Sequence, residues 1–433
     1  MECAKSEFDY FLPIPTQTSI VRTFLREYTP LSALQHGAPI EFAVAGTENL
    51  YMDLNQSYIY IKCKITKADK SAIVAADKVG PINLTLHSLF SDMDLELCGK
   101  QVSDNSGHYC YRALLEELLS YGQDVKETQL QAALWFKDTA GQMTVTDSSG
   151  ANAGLVSRAT FFALSAEVDL IGRPHLDLFH QDKLILGNCP LKLRLIPNAD
   201  SFILKSKAPG ANEDQENYRM QITDARFFVR TVEVSHALAL AHEQMLQKMN
   251  ARYPLRRVTT KHISIPANTT SIMHDNVFLG TVPRRVLITM VSDAAMSGGY
   301  QLNPYNFHHN GVKYYALYVN GEMVPHRPYE PDFTAKRYLR DYMSLFEGTG
   351  TLFTDKSLPI TRDEFANGYA IWLFDLTPDN ASSPCISPPR TGSVRLELKF
   401  AGGNTATINV LVYAELDAMI EIDKFRNVIA PNY

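Results

Sequence analysis

Apolar and polar residues alternate along most of this chain. In SYIYIKCKI at 57–65, Ile59, Ile61, Cys63 and Ile65 fall on one parity and Tyr58, Tyr60, Lys62 and Lys64 on the other. A period of two places one set on a buried face and the other toward a wetter one, which predicts a strand. Further strand patterns occur in PIEFAVAG from 39, LFSDMDLELCG near 89–99, PLKLRLIP at 190–197, SFILKS at 201–206 and YRMQITDARFFVRTVEV at 218–234. Beyond Pro254, which reads as a break, they resume in RRVTTKHISIP, RRVLITMVS, KYYALYVNGEMV, YAIWLFDL, SVRLELKF and TINVLVYAELDAMIEID. Helical spacing interrupts them at three places. Near 106–122 a stripe of Tyr111, Leu114, Leu115 and Leu118 leaves Glu116 and Glu117 outside it. Near 235–249 Ser235 is a plausible N-cap. Near 333–347 Asp332 can cap a helix whose stripe is Leu339, Tyr342, Met343 and Phe346.

The two halves repeat each other. LELCGKQV (Leu95, Gly99, Val102) has the spacing of LYVNGEMV (Leu317, Gly321, Val324), and each reads as a hairpin turning at glycine and followed by an amphipathic helix. AEVDLIG then parallels AIWLFDL, LKLRLIP parallels RLELKFA, and QITDARFFVRTVEV parallels TINVLVYAELDAMIEI. Landmarks in a shared order imply a duplicated unit, and a length of 433 residues suits two cores rather than one. The expected fold is all-β: two tandem jelly-roll β-sandwiches, a double jelly roll, with a few inserted helices. The expected boundaries are an extended N-terminal arm at 1–38, a first jelly roll at 39–249, a linker at 250–254, a second jelly roll at 255–426 and a C-terminal tail at 427–433. Phe8, Tyr10, Phe11, Leu12 and Ile14, broken by Pro13 and Pro15, read as an arm that packs on protein. Truncating residues 1–35 is therefore expected to leave both barrels folded and to impair assembly.

Composition narrows the function classes. Apolar residues at 45% and charged residues at 20% describe a globular protein. A net charge of −6 argues against a main role in neutralising nucleic-acid phosphates, and the basic run Lys248, Arg252, Arg256, Arg257 and Lys261 reads as a solvated junction. No stretch approaches the roughly 18 apolar residues of a membrane span. The opening MECAKSEFDYFLP has no secretory pattern, so the six dispersed cysteines are expected reduced and the four N-x-S/T sequons unused.

No catalytic constellation is legible. His242 and Glu243 lack the second histidine of H-E-x-x-H, since Leu246 stands there. His308 and His309 are adjacent, and adjacent residues of a strand face opposite ways. Asp375 and Asp379 lie in a turn-forming FDLTPDN, and G-x-S-x-G, P-loop and H-x-H patterns are absent. The expectation is a non-enzymatic protein with no cofactor and no metal. A carbohydrate-binding β-sandwich, the main alternative from another class, predicts a signal peptide and disulfides that the sequence lacks.

The motifs PTQTSI, YTPLSAL followed by PIEF, VGPINLTLHSLFS, DLELCGKQVS, YRALLEELLSYG, IGRPHLDLFHQD, YMSLFEGTG, EFANGYAIWLFDLTPD and VYAELDAMIEIDKFRNV span nearly the whole chain. In them the chain resembles the major capsid proteins of Polinton (Maverick) elements and adintoviruses. The resemblance implies a homotrimer whose six barrels form a pseudo-hexagonal, hexon-like capsomer of an icosahedral shell around double-stranded DNA. It also implies a location in the virion after synthesis in the cytoplasm and assembly in the cytoplasm or host nucleus, and neighbouring capsomers and a vertex or minor capsid protein as partners. A minor or vertex protein of the same element is the nearest alternative, and duplication argues against it.

Overall fold

The computed structural model describes residues 16–208, 217–355, 358–378 and 388–430. Sixteen strands build two sandwiches. The first contains β1 (Ile20–Tyr28), β2 (Ile40–Val44), β3 (Leu50–Lys67), β4 (Phe90–Leu97), β5 (Lys100–Gln101), β6 (Val168–Gly172), β7 (Leu191–Pro197) and β8 (Tyr218–Val234). The second contains β9 (Ala251–Ile265), β10 (Ser271–Thr281), β11 (Arg285–Ser292), β12 (Val312–Val319), β13 (Glu322–Tyr329), β14 (Ile371–Asp375), β15 (Thr391–Phe400) and β16 (Ile408–Ile422). One sheet of the first sandwich runs β1-β8-β3-β6 and the other β2-β7-β4-β5; the second sandwich repeats this as β9-β16-β11-β14 and β10-β15-β12-β13. Adding eight to a strand number gives its counterpart, so the duplication is one of topology and the fold is a double jelly roll.

Alternation explains the packing of each sandwich. Ile59, Ile61, Cys63 and Ile65 of β3 are fully buried while their neighbours are half-buried. Between the sheets Phe42 of β2 meets Phe227 of β8 with ring centroids 5.9 Å apart, and in the second barrel Tyr315 of β12 stacks on Trp372 of β14 at 5.2 Å. The paired hairpins share one turn chemistry. Cys98–Gly99 and Asn320–Gly321 all have positive φ (51° and 77°, 52° and 87°), which both central positions of a type I′ turn require.

Between β5 and β6 lie α1 (Tyr109–Ser120) and α2 (Ala153–Phe161); α3 (His236–Leu246) joins the barrels; and α4 (Leu339–Thr349) occupies between β13 and β14 the place that α1 holds in the first barrel. Leu114 and Leu118 are buried on α1. On α3 the Ser235 hydroxyl accepts from Leu238 N–H, and Ala239 and Leu246 are its buried residues.

The structure departs from the expected boundaries in ways with clear causes. Residues 20–28 form the outer strand of a barrel sheet, paired with β8, and not part of a free arm. Its mixed charges hid it: Arg22 pairs with Glu233, and Arg226 reaches Glu27 at 2.9 Å, so these charges are cross-strand contacts. Phe8, Tyr10, Phe11, Leu12 and Ile14 lie outside the described residues. The expected linker at 250–254 is nearly all strand: β9 starts at Ala251 and runs through Pro254, which an edge strand tolerates because its missing N–H costs least there. In the expected tail, Val428–Ile429 pairs back onto β16. The helix expected at 333–347 begins at Leu339, and Leu339 is 49% exposed. The buried face of α4 is instead Asp341, Ser344, Leu345 and Gly348. The Asp341 carboxylate accepts the Trp372 indole N–H at 2.9 Å, and a Cβ on Gly348 would come within 2.5 Å of Leu373. Tyr342 and Phe346, half-buried, pack on each other beside the helix, and the Tyr342 hydroxyl donates to the Ile360 carbonyl.

Deletion through residue 28 should therefore lower the melting temperature sharply or leave the protein insoluble, because β8 loses its outer partner over residues 227–234. Far-UV circular dichroism and a thermal melt check this; a melt unchanged from the full chain would place β1 outside the cooperative unit.

Candidate functional site at the seam of the two barrels

The loops and helix inserted between β5 and β6 carry polar side chains into the second barrel, so the chemistry of the chain concentrates where the barrels meet. Arg158 of α2 is fully buried and donates to Asp138 Oδ1 at 2.7 Å, to the Pro81 carbonyl at 2.9 Å and to the Phe136 carbonyl. Asp138 is shared across the seam: its Oδ2 accepts from Asn303 at 3.0 Å, and its carbonyl accepts the Tyr369 hydroxyl at 2.8 Å. Burial alone would raise the Asp138 pKa, but the Arg158 guanidinium outweighs it and holds the carboxyl below its usual range. Nearby Lys205, pushed down to about 8 by burial, donates to the Met143 carbonyl at 2.8 Å. Ser88 and Tyr305 hydroxyls meet at 2.6 Å, and Tyr305 sits edge-on to Tyr111 and Phe202.

A second cluster grows from α1. Its i, i+4 spacing sets Arg112 beside Glu116 at 2.8 Å, and the other guanidinium arm reaches Asp177 Oδ1 at 2.8 Å. Asp177 also accepts the backbone N–H of Val258 on β9 at 3.2 Å, and Glu116 accepts the Tyr413 hydroxyl of β16 at 3.3 Å, so this cluster too spans the seam. His175 lies between two carboxylates, 2.6 Å from Glu116 and 3.0 Å from Glu117. Burial disfavours its charge, but those hydrogen bonds outweigh the penalty and hold the imidazolium up at about 9. Burial pushes His180 down to about 3 and His87 well below the usual histidine value. Arg112, Glu116, His175 and His180 line a cleft of about 770 Å³ whose far wall is formed by β9, β11 and β16. At a third point, Ser106 and Thr260 hydroxyls meet at 2.6 Å and His108 Nε2 lies 2.9 Å from His262 Nδ1. Burial, then the His262 ring, brings His108 down to about 4.

These groups bind the barrels to each other, and none forms a nucleophile with an orienting base. Of the histidines singled out in the sequence, His308 and His309 stack on each other at 4.4 Å rather than facing apart, because they occupy a turn whose amides, Asn310 and Gly311, donate to their Nδ1 atoms. His242 takes part in a hydrogen bond with Tyr51 at 2.9 Å. Asp375 accepts from the amide and hydroxyl of Thr377, closing a turn, and Asp379 lies outside the described residues. Sequence reading missed Asp138, Arg158, Arg112, His175 and Asp177. The one local signal available was the Arg112/Glu116 pair on a helix; the remaining partners come together only in three dimensions.

Replacing Asp138 by alanine leaves a buried guanidinium without its counter-charge and should cost about 3–5 kcal/mol, read as a shift in the denaturation midpoint; a shift below about 1 kcal/mol, the size of a surface pair, would contradict the burial. For His108 the folded ring stays neutral down to about 4 while the unfolded ring protonates near 6.5. Its contribution is thus complete above about 6.5 and is lost as pH falls toward about 4. The His108→Gln variant should lose less thermal stability than the wild type between about pH 7 and about pH 5; parallel losses would assign the acid sensitivity elsewhere.

No protein-family model matches the sequence. The uncharacterized protein F54H12.2 of Caenorhabditis elegans is 25% identical over 431 residues, covering 96% of this chain and 98% of that protein. Among solved structures, a chain of the Sputnik virophage particle aligns with a TM-score of 0.66 at 12% identity, over 100% of this chain and 92% of its own. The Faustovirus major capsid protein aligns with a TM-score of 0.57 at 9% identity, over 96% and 94%. The architecture built above from strand order is, over essentially its full length, the double jelly roll of viral major capsid proteins.

Proposed function

We propose that this chain is a structural major capsid protein whose homotrimer forms a pseudo-hexagonal capsomer. The observation that carries the reading is the pair of barrels with the same strand order, held together through buried polar contacts in one chain. Three such chains around a threefold axis present six similar corners, and closed cyclic symmetry satisfies every interface. A shell subunit needs complementary surfaces and rigidity rather than a catalytic group, which agrees with a seam whose buried ion pairs hold one barrel to the other. The net charge of −6 fits a wall better than a coat on nucleic acid. The sequence motifs point further, to a Polinton- or adintovirus-type element with a double-stranded DNA genome, a virion location with assembly in the cytoplasm or nucleus, and a vertex or minor capsid protein as partner. Residues 1–15, ahead of β1, are the segment left to act as a tie between capsomers.

Light scattering on the purified chain should give three times the chain mass of 48.5 kDa, and electron microscopy should show pseudo-hexagonal units. A stable monomer at all concentrations would overturn the reading. Removing residues 1–15 should keep the trimer and reduce closed particles; loss of the trimer itself would assign that segment to the capsomer.

A further inference from the structure

The network on α1 also brings three metal-binding atoms together at the edge of the cleft. Glu116 Oε2, His175 Nδ1 and His180 Nε2 converge within 4.8 Å of one another, with Glu116 Oε2 2.6 Å from His175 and 3.7 Å from His180. We propose that these three side chains form a binding site for a divalent transition metal, zinc above all, at the edge of the inter-barrel cleft.

Two histidine nitrogens and a carboxylate oxygen are a donor set that zinc takes in tetrahedral sites with one open position, and the cleft supplies the space for a fourth ligand. The surroundings are those of a ligand shell. With Nδ1 on the metal, His175 Nε2–H donates to Glu117 Oε1 at 3.0 Å, the carboxylate–histidine pairing that orients metal-bound imidazoles. The other Glu117 oxygen is buried without a hydrogen-bond partner. Glu116 is fixed from its second oxygen by Arg112 Nε at 2.8 Å and the Tyr413 hydroxyl at 3.3 Å, which leaves Oε2 for the cleft.

Glu116, Glu117 and Asp177 bring three carboxylates together, with Arg112 between Glu116 and Asp177, Arg173 beside His180 and Lys126 at the Leu118 carbonyl. A divalent ion at this edge of the cleft parts Glu116 and His175 from hydrogen-bond distance to that of two ligands on one ion. One group must yield: Arg173 Nη2 lies 3.1 Å from His180 Nδ1 and can only donate, so His180 carries its proton on Nε2. Ligation moves that proton to Nδ1 and turns Arg173 away toward Asn55, which it already contacts. Because Glu116 also holds Tyr413 of β16, an ion here tightens the seam.

The test uses the full-length purified protein stripped with chelator and titrated with cobalt(II), whose ligand-field absorption reports coordination, and with zinc, whose effect on the melting temperature reports the clamp. One cobalt per chain with a tetrahedral-type visible band, and a zinc-dependent rise in melting temperature, are expected. His180→Gln, at a side chain about a third exposed (31%), should keep the circular dichroism of the wild type and lose both signals. Arg173→Ala should bind at least as tightly as wild type, and Glu117→Gln should weaken binding by roughly 10–100-fold. Cobalt uptake by the wild type no greater than by folded His180→Gln would overturn the proposal, as would weaker binding by Arg173→Ala. The seam network would then stand as an ion-pair cluster alone.

Discussion

The burial of Arg158 beside Asp138 constrains everything around it. A guanidinium removed from water costs several kcal/mol unless paired and hydrogen-bonded, and Asp138 is its acidic partner. Asp138 in turn needs Asn303 and is tied to Tyr369, both from the second barrel. The first barrel's inserted segment is therefore complete only against the second barrel. Two sandwiches that could in principle move independently become a single body, because sliding one against the other strands charges in a medium that cannot solvate them.

The same logic runs through the Arg112 cluster, where Asp177 collects a guanidinium from α1 and an amide from β9, and through the Ser88–Tyr305 contact. The first barrel's share of these contacts comes from inserted segments and connecting loops, not from its central strands. The strands supply the apolar interior of each sandwich; the insertions supply the geometry between sandwiches. The duplicated unit was thus free to keep its strand order while its insertions diverged into complementary halves of a joint.

Sequence made the interiors of the sheets legible and left the edges and the joint obscure. The strict alternation of β3 and the Cys98–Gly99 and Asn320–Gly321 turns are local signals, so the strand order of both barrels could be anticipated from them. Strand β1 reads as an arm in the sequence because an edge strand buries little and its residues Arg22, Arg26 and Glu27 carry no alternating mask. Strand β9 was cut at Pro254 because proline forbids a central strand but not an outer one. The face of α4 was misassigned since a buried aspartate and a glycine, not Leu339, meet Trp372 and Leu373. The joint escaped entirely: Arg158 finds Asn303 through Asp138, and His175 finds Tyr413 through Glu116, across separations that no periodicity records.

The two strands hardest to see in the sequence have a property in common. β1 and β9 each close the outer side of a sheet, and both are rich in charge, with Pro254, Arg256, Arg257 and Lys261 along β9. Such edges resist the addition of another strand, since proline withholds an amide and like charges repel a second copy. Copies of this chain packed at high density would meet through side-chain surfaces, without fusing sheet to sheet. Misplaced neighbours can then separate and try again, which is what an ordered array needs and what a cross-β aggregate denies.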